Sequence, residues 1–179
     1  MAHDAEVGLV FDASALIDVV DSDPTLLTLI AREIAPVLIP LPVLREVSTL
    51  TEEDCVALGL TIVVPTLEQL EEAATARGSL SEEDHLCLIV ARDLGATCVT
   101  SDGALYKACV AEGIEVWRGL RPLIALVARG HLEAHAAIVT VRSIRKSNAY
   151  ITTAVVHAFA IEIHSAGKKA ARLKAERDD

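Results

Sequence analysis

Aromatic side chains are scarce in this chain of 179 residues, which has one Trp, two Tyr and two Phe. So few rings argue against a surface of stacked aromatics of the kind on which single-stranded nucleic acids lie. Paired cysteines are missing too. Cys55, Cys87, Cys98 and Cys109 show no C-x-x-C spacing, and three of them lie inside apolar patterns. Reduced core cysteines are therefore favoured over a zinc site or a structural disulfide. Mean hydropathy is +0.42, yet no uncharged apolar run approaches the roughly 18–20 residues a membrane helix needs. The best stretch, residues 7–20, is interrupted by Asp12 and Asp18. The opening Met-Ala-His-Asp-Ala-Glu is acidic and lacks the basic region of a signal peptide. No membrane and a cytoplasmic location are the expectations. Internal repeats and low-complexity linkers are also lacking, and the length suits one domain with a sizeable core.

What the chain has is aliphatic side chains and acid. Its net charge of −10 is unevenly spread. Residues 1–117 carry 21 acids against 5 Lys/Arg, whereas residues 118–179 carry 5 acids against 11 Lys/Arg. An acidic, cation-binding body joined to a basic segment suits a polyanion held beside metal ions. The competing reading is that the basic residues only populate the solvated faces of terminal helices.

Strand-like apolar runs alternate with helical patterns, which predicts a three-layer α/β/α fold with a mostly parallel central sheet, plus C-terminal helices. Strands are expected at residues 7–11, 37–39, 60–64, 97–100 and 114–117. Helices are expected at 13–20, 24–34, 42–50, 52–58, 67–76, 82–94, 104–111, 120–127, 132–143 and 151–171. The tail from Lys168 is charged and expected to fray. The division expected is an α/β domain over residues 1–130, with a helical extension over 131–179 packed on it.

Four carboxylates stand where an apolar element meets a polar loop: Asp12 after the first strand, Glu46 after the second, Asp84 at a helix start, and Asp102 after the strand Thr97–Thr100. Clustered carboxylates repel one another unless a hard cation neutralises them, and Mg2+ or Mn2+ prefers such oxygen ligands. Phosphodiester hydrolysis needs an activated water and a stabiliser for charge on the phosphate, both of which such ions supply. Other readings remain open. Asp84 closes a Ser81-Glu82-Glu83-Asp84 capping box, and Glu82 or Glu83 could replace it as a ligand. Asp18, Asp21 and Asp23 read as a solvated turn, because the spacing is not that of a calcium loop. His131 and His135, at i and i+4, read as surface histidines.

The local sequences add to this. Val10-Phe11-Asp12-Ala13-Ser14-Ala15-Leu16-Ile17 resembles the opening strand–loop–helix of PIN domains. Leu80-Ser81-Glu82-Glu83-Asp84 is similar to that family's L-S-x-x-D helix start. Val99-Thr100-Ser101-Asp102-Gly103-Ala104-Leu105 is similar to its V-T-x-D-x-x-L strand end, and Val43-Leu44-Arg45-Glu46-Val47 to its second-acid helix. The four blocks come in the family's order and cover residues 7–117. More loosely, residues 118–179 resemble the helical C-terminus of a longer PIN-like subgroup, through Gly130-His131-Leu132 and residues 148–163.

The resemblance implies that Asp12, Glu46, Asp84 and Asp102 are both metal ligands and catalytic residues of a Mg2+- or Mn2+-dependent endoribonuclease. It implies that Ser14 and Thr100 orient the acids or a bound water. Ala104 stands where many members carry a further acid, so one firmly held ion is expected before substrate binds. The commonest role in the family is the toxin of a toxin–antitoxin pair of VapC type, with an antitoxin protein as partner. Housekeeping RNA processing and a non-catalytic RNA- or protein-binding module are the alternatives. Arg142, Arg145 and Lys146 form the one basic cluster and are the candidates for RNA contact. Residues 120–127 and 151–163 are apolar on more than one face, from which a homodimer is expected.

Overall fold

The computed structural model describes residues 8–178, with side chains described through Ala171. Among these residues five short strands carry the sheet: β1 (Leu9–Phe11), β2 (Val37–Pro40), β3 (Thr61–Val63), β4 (Thr97–Thr100) and β5 (Val116–Arg118). All pairings are parallel and the order is β3-β2-β1-β4-β5. The central strands are covered on both faces, so they read as unbroken apolar runs rather than alternating ones. Leu9 and Phe11 face one buried cluster and Val10 the other; Val99 and Cys98 on β4 divide in the same way. The expected α/β/α layering is therefore observed.

Among the described residues ten helices connect and cover the strands: α1 (Ala13–Ser22), α2 (Thr25–Glu33), α3 (Leu41–Glu46), α4 (Glu52–Leu58), α5 (Leu67–Thr75), α6 (Glu82–Leu94), α7 (Gly103–Ala111), α8 (Arg121–Ala128), α9 (Ala134–Ser147) and α10 (Thr153–Asp178). Their starts are set by side chains. Thr51, Thr66 and Ser81 form reciprocal capping boxes with Asp54, Gln69 and Asp84. Gly95 ends α6 with φ 63°, a left-handed turn that a residue with a Cβ adopts at a cost.

The second cluster, between the sheet and α5, α6 and α7, holds Cys87, Cys98 and Cys109; these and Cys55 are free and buried. The first cluster packs β1 and β2 against α1, α2 and α8, and it extends without a break into α9 and α10 through Val141, Ile144, Phe159 and Ile163. Helix α8, apolar nearly all round, buries Pro122, Leu123, Ile124, Leu126 and Val127. That burial occurs within the chain, so the apolar surplus behind the expected homodimer is largely consumed. Val155 and Ile161 on α10 remain exposed. Helix α10 continues through residues 168–178, where the sequence suggested fraying. No helix among the described residues is long and apolar enough to cross a membrane.

Candidate metal centre

The strand order reverses between β1 and β4. From β1 the chain moves outward through β2 to β3, then returns to place β4 on the other side of β1. Loops leaving neighbouring strands diverge at such a point and open a crevice at the carboxyl ends. Asp12 is the first residue after β1 and Asp102 the second after β4.

Asp12 is buried, at 2% exposure, and its carboxylate is firmly held. Oδ1 accepts from the Ala15 amide at 2.8 Å, capping α1. The Ser14 hydroxyl bridges both oxygens at 3.0 and 2.8 Å, and the Thr100 hydroxyl donates to Oδ2. The ladder explains the last contact, since Phe11 pairs with Val99 and the next residues in register are Asp12 and Thr100. Three donors share about four lone-pair sites, which leaves a carboxylate able to accept one more partner. Burial pushes the Asp12 pKa up to about 6; the bonds from Thr100, Ala15 and Ser14 oppose the rise and repulsion from Asp84 adds to it.

Glu46, exposed as the last residue of α3, also has a raised pKa, from partial burial first and then from the charges of Glu83, Asp84 and Asp12. Cys87 lies beneath them with its thiol 3.8 Å from the Phe11 carbonyl oxygen. Burial raises its pKa, and Asp12, Asp84 and Glu46 each raise it further. The structure thus brings Asp12, Glu46 and Asp84 into one another's electrostatic field. It adds Glu83, which sequence reasoning ranked below Asp84.

Asp102 joins more indirectly. Its amide donates to the Thr100 hydroxyl at 2.9 Å, and that hydroxyl donates to Asp12. Its Oδ1 caps α7 by accepting from the Ala104 and Leu105 amides at 2.7 and 2.8 Å, while Oδ2 takes neither bond. Asp84 is similarly occupied, its Oδ2 accepting from the Ser81 amide at 3.3 Å. Among the described residues no group of three or more His, Cys, Asp or Glu side chains is drawn together as a ready-made metal cage. The capping bonds and mutual repulsion account for this spacing: Asp12, Asp84 and Asp102 each have a local donor, and none gains by approaching another acid.

Asp18 departs from the sequence reading. The sequence suggests a solvated turn with Asp21 and Asp23, yet Asp18 is 5% exposed. Its Oδ2 accepts from the Ser101 hydroxyl at 3.1 Å and its Oδ1 from the Asn148 side-chain amide at 2.8 Å. Burial raises its pKa, and those two bonds oppose the rise. Its position inside the apolar run of α1 was the available clue, because a charge there must be buried with partners or break the helix face. Ser101 is tightly placed: its amide donates to the Ser14 hydroxyl at 3.1 Å, and a Cβ on Gly119 would collide with its hydroxyl. Asn148 caps α9, so this clamp ties the C-terminal helices to the loop that carries Asp102.

Arg142, Arg145 and Lys146 are exposed on α9, and no carboxylate among the described residues pairs with them. His131 lies beside Glu33, Nδ1 to Oε2 3.3 Å, at the surface rather than in a metal pair. In comparison with known proteins, the chain matches no family model and no curated protein.

Proposed function

We propose that the carboxylate crevice holds Mg2+ or Mn2+ through Asp12, Glu46, Asp84 and Asp102 and hydrolyses RNA phosphodiester bonds, as a PIN-like endoribonuclease. The observation that carries this reading is the electrostatic crowding of Asp12, Glu46 and Asp84 at the point where the strand order reverses. Crowded like charges add to the raised pKa values of Asp12 and Glu46, a repulsion that a divalent ion would relieve. The donor set is all carboxylate oxygen, matching hard cations rather than zinc. Asp12 has room for one more partner, and Oδ2 of Asp102 takes no part in its cap. A bound ion would supply an activated water and charge stabilisation at the phosphate. The chain's own part is to hold Asp12 rigidly through Ser14, Ala15 and Thr100, and to offer Glu46 and Asp84, or Glu83, from the opposite wall.

RNA as substrate, and an antitoxin protein as partner, come from the sequence resemblance. The basic cluster fits the same reading. Asn148, just beyond Arg145 and Lys146, reaches Asp18 and through it the loop of Asp102. A homodimer would bring two such basic flanks to two acidic crevices.

The test is cleavage of a single-stranded RNA by the full chain in Mn2+ under single-turnover conditions, beside Asp12→Asn. Cleavage by the parent that is abolished by EDTA and by Asp12→Asn is the expected result. A variant that cuts as fast as the parent overturns the assignment. The non-catalytic alternative is favoured by one observation, the use of Asp84 and Asp102 as helix caps, and it predicts RNA retention without cutting in Mn2+.

A further inference from the structure

Three of the chain's five aromatic residues, Tyr106, Trp117 and Phe159, line one open groove of about 550 Å3. That volume is in the range of small-molecule clefts. The groove runs along the outer edge of the sheet, between α7, β5, α8 and α10. The Arg118 guanidinium lies over the Tyr106 ring, 3.9 Å from its centroid. Arg118 is exposed and has no carboxylate partner among the described residues. The two acids of the groove are already engaged: Glu115 accepts from the Trp117 indole at 3.1 Å, and Glu162 from Arg121 at 2.9 Å.

The groove begins beside the carboxylate crevice. Arg118 is paired with Thr100 across the β4–β5 ladder, and Thr100 is the residue whose hydroxyl holds Asp12. The Tyr106 amide donates to the Asp102 carbonyl at 3.2 Å. Adjacent strands lie about 4.8 Å apart, so a chain with its phosphate in the crevice reaches the groove within a nucleotide or two. A planar cation over a phenol ring, next to an indole anchored by its N–H, offers flat faces of the kind that an unpaired base stacks on.

We propose that this groove receives an unpaired nucleobase of the RNA strand whose phosphodiester lies at the carboxylates, stacked on the Tyr106–Arg118 pair beside Trp117. The proposal rests on the nuclease reading for its substrate class and supplies what that reading lacks, a reason to prefer single strands. A duplex hides its base faces and is excluded.

Trp117 is the chain's one tryptophan, so its fluorescence reports on the groove directly. The full-length protein is titrated in EDTA, where no cutting occurs, with short single-stranded RNA and with an abasic strand of the same backbone. The base-bearing strand should quench Trp117 and bind more tightly, while the abasic strand should bind weakly without quenching. Tyr106→Leu, which keeps the bulk and removes the π face, should weaken binding by about tenfold to a hundredfold, the loss expected for one stacked base. It should leave Mn2+ stabilisation of the protein unchanged. Arg118→Lys keeps the charge and should lose most of the same affinity.

Equal binding of the two strands, or an unchanged Tyr106→Leu, overturns the groove. So does Trp117 emission that depends on protein concentration but not on RNA, which would mean that a second copy fills it. Cleavage in Mn2+ without quenching would leave the nuclease standing and remove the groove; quenching without cleavage would do the reverse.

Discussion

Asp12 and Asp18 sit six positions apart at one end of the molecule, and both are buried carboxylates with raised pKa values. They are built for different ends. Asp18 is clamped between Ser101 and Asn148, with Asp21 the one charge that disturbs it. Asp12 is also held by hydrogen bonds but keeps room for one more partner; the charge of Asp84 adds to its pKa, and its own charge raises that of Glu46. Burial alone therefore does not mark a functional acid. A carboxylate that shares its field with other carboxylates is costly in a way that a bound cation would relieve. A carboxylate that spans two elements repays its burial through the bonds it makes.

The widest separation between the two should appear in activity. Asp12→Asn preserves volume and is expected to reduce metal-dependent RNA cleavage by more than about 100-fold, beyond the loss typical of groups that merely orient ligands. Thr100→Val, which removes only the orienting hydroxyl, should fall within about 10–100-fold. Single-turnover rates at saturating Mn2+ measure both. Equal losses in the two variants would mean that Asp12 is one more scaffold residue.

Stability should separate them by sign. Because burial raises the folded pKa of Asp12 from the usual 3.8 to about 6, the favourable contribution belongs to the protonated acid. It is fully present below about pH 4 and lost as pH rises through 6. The difference amounts to about 3 kcal/mol, so urea midpoints in EDTA should decline over that interval. In Asp12→Asn the decline should flatten and the midpoint at pH 7 should rise. Asp18→Ala should instead cost about 1–3 kcal/mol and so lower the midpoint, because the Ser101 hydroxyl and the Asn148 amide lose their acceptor. Two variants that both destabilise at pH 7 would erase the distinction drawn between crevice and clamp.

The sequence conveyed the layers because short apolar runs, capping boxes and Gly stops act locally, and most elements lie within a few residues of their expected places. It could not convey the parallel order, in which β4 lies beside β1 across almost ninety residues of chain. That order is what brings Thr100 to Asp12. Asp12 and Asp84 were legible because a helix start fixes an acid's position in sequence. Glu83 was less so, since its nearness to Glu46 depends on how α3 and α6 meet. Asp18 was misread because an Asp near two others looks solvated until Asn148, 130 positions on, is seen to bond it. The groove was hidden for the same reason: a chain poor in rings can still gather three in one place.

The smallest expected effect concerns the basic helix, and it tests whether the clamp serves the crevice. Arg142, Arg145 and Lys146 are solvent-exposed, so each contributes through screened attraction and counterion release rather than through fixed geometry. Replacing all three with Ala should weaken RNA binding uniformly across sequences. It should also flatten the plot of log affinity against log salt by about 2, the slope expected when three single-strand phosphate contacts are lost. Stabilisation by Mn2+ should be unchanged, because none of the three belongs to the carboxylate set. Asp18→Ala should reproduce part of this loss if the bond to Asn148 is what holds the end of α9 beside the crevice. An unchanged salt slope in Asp18→Ala would make the clamp purely a device of stability, with α9 positioned by its apolar face alone.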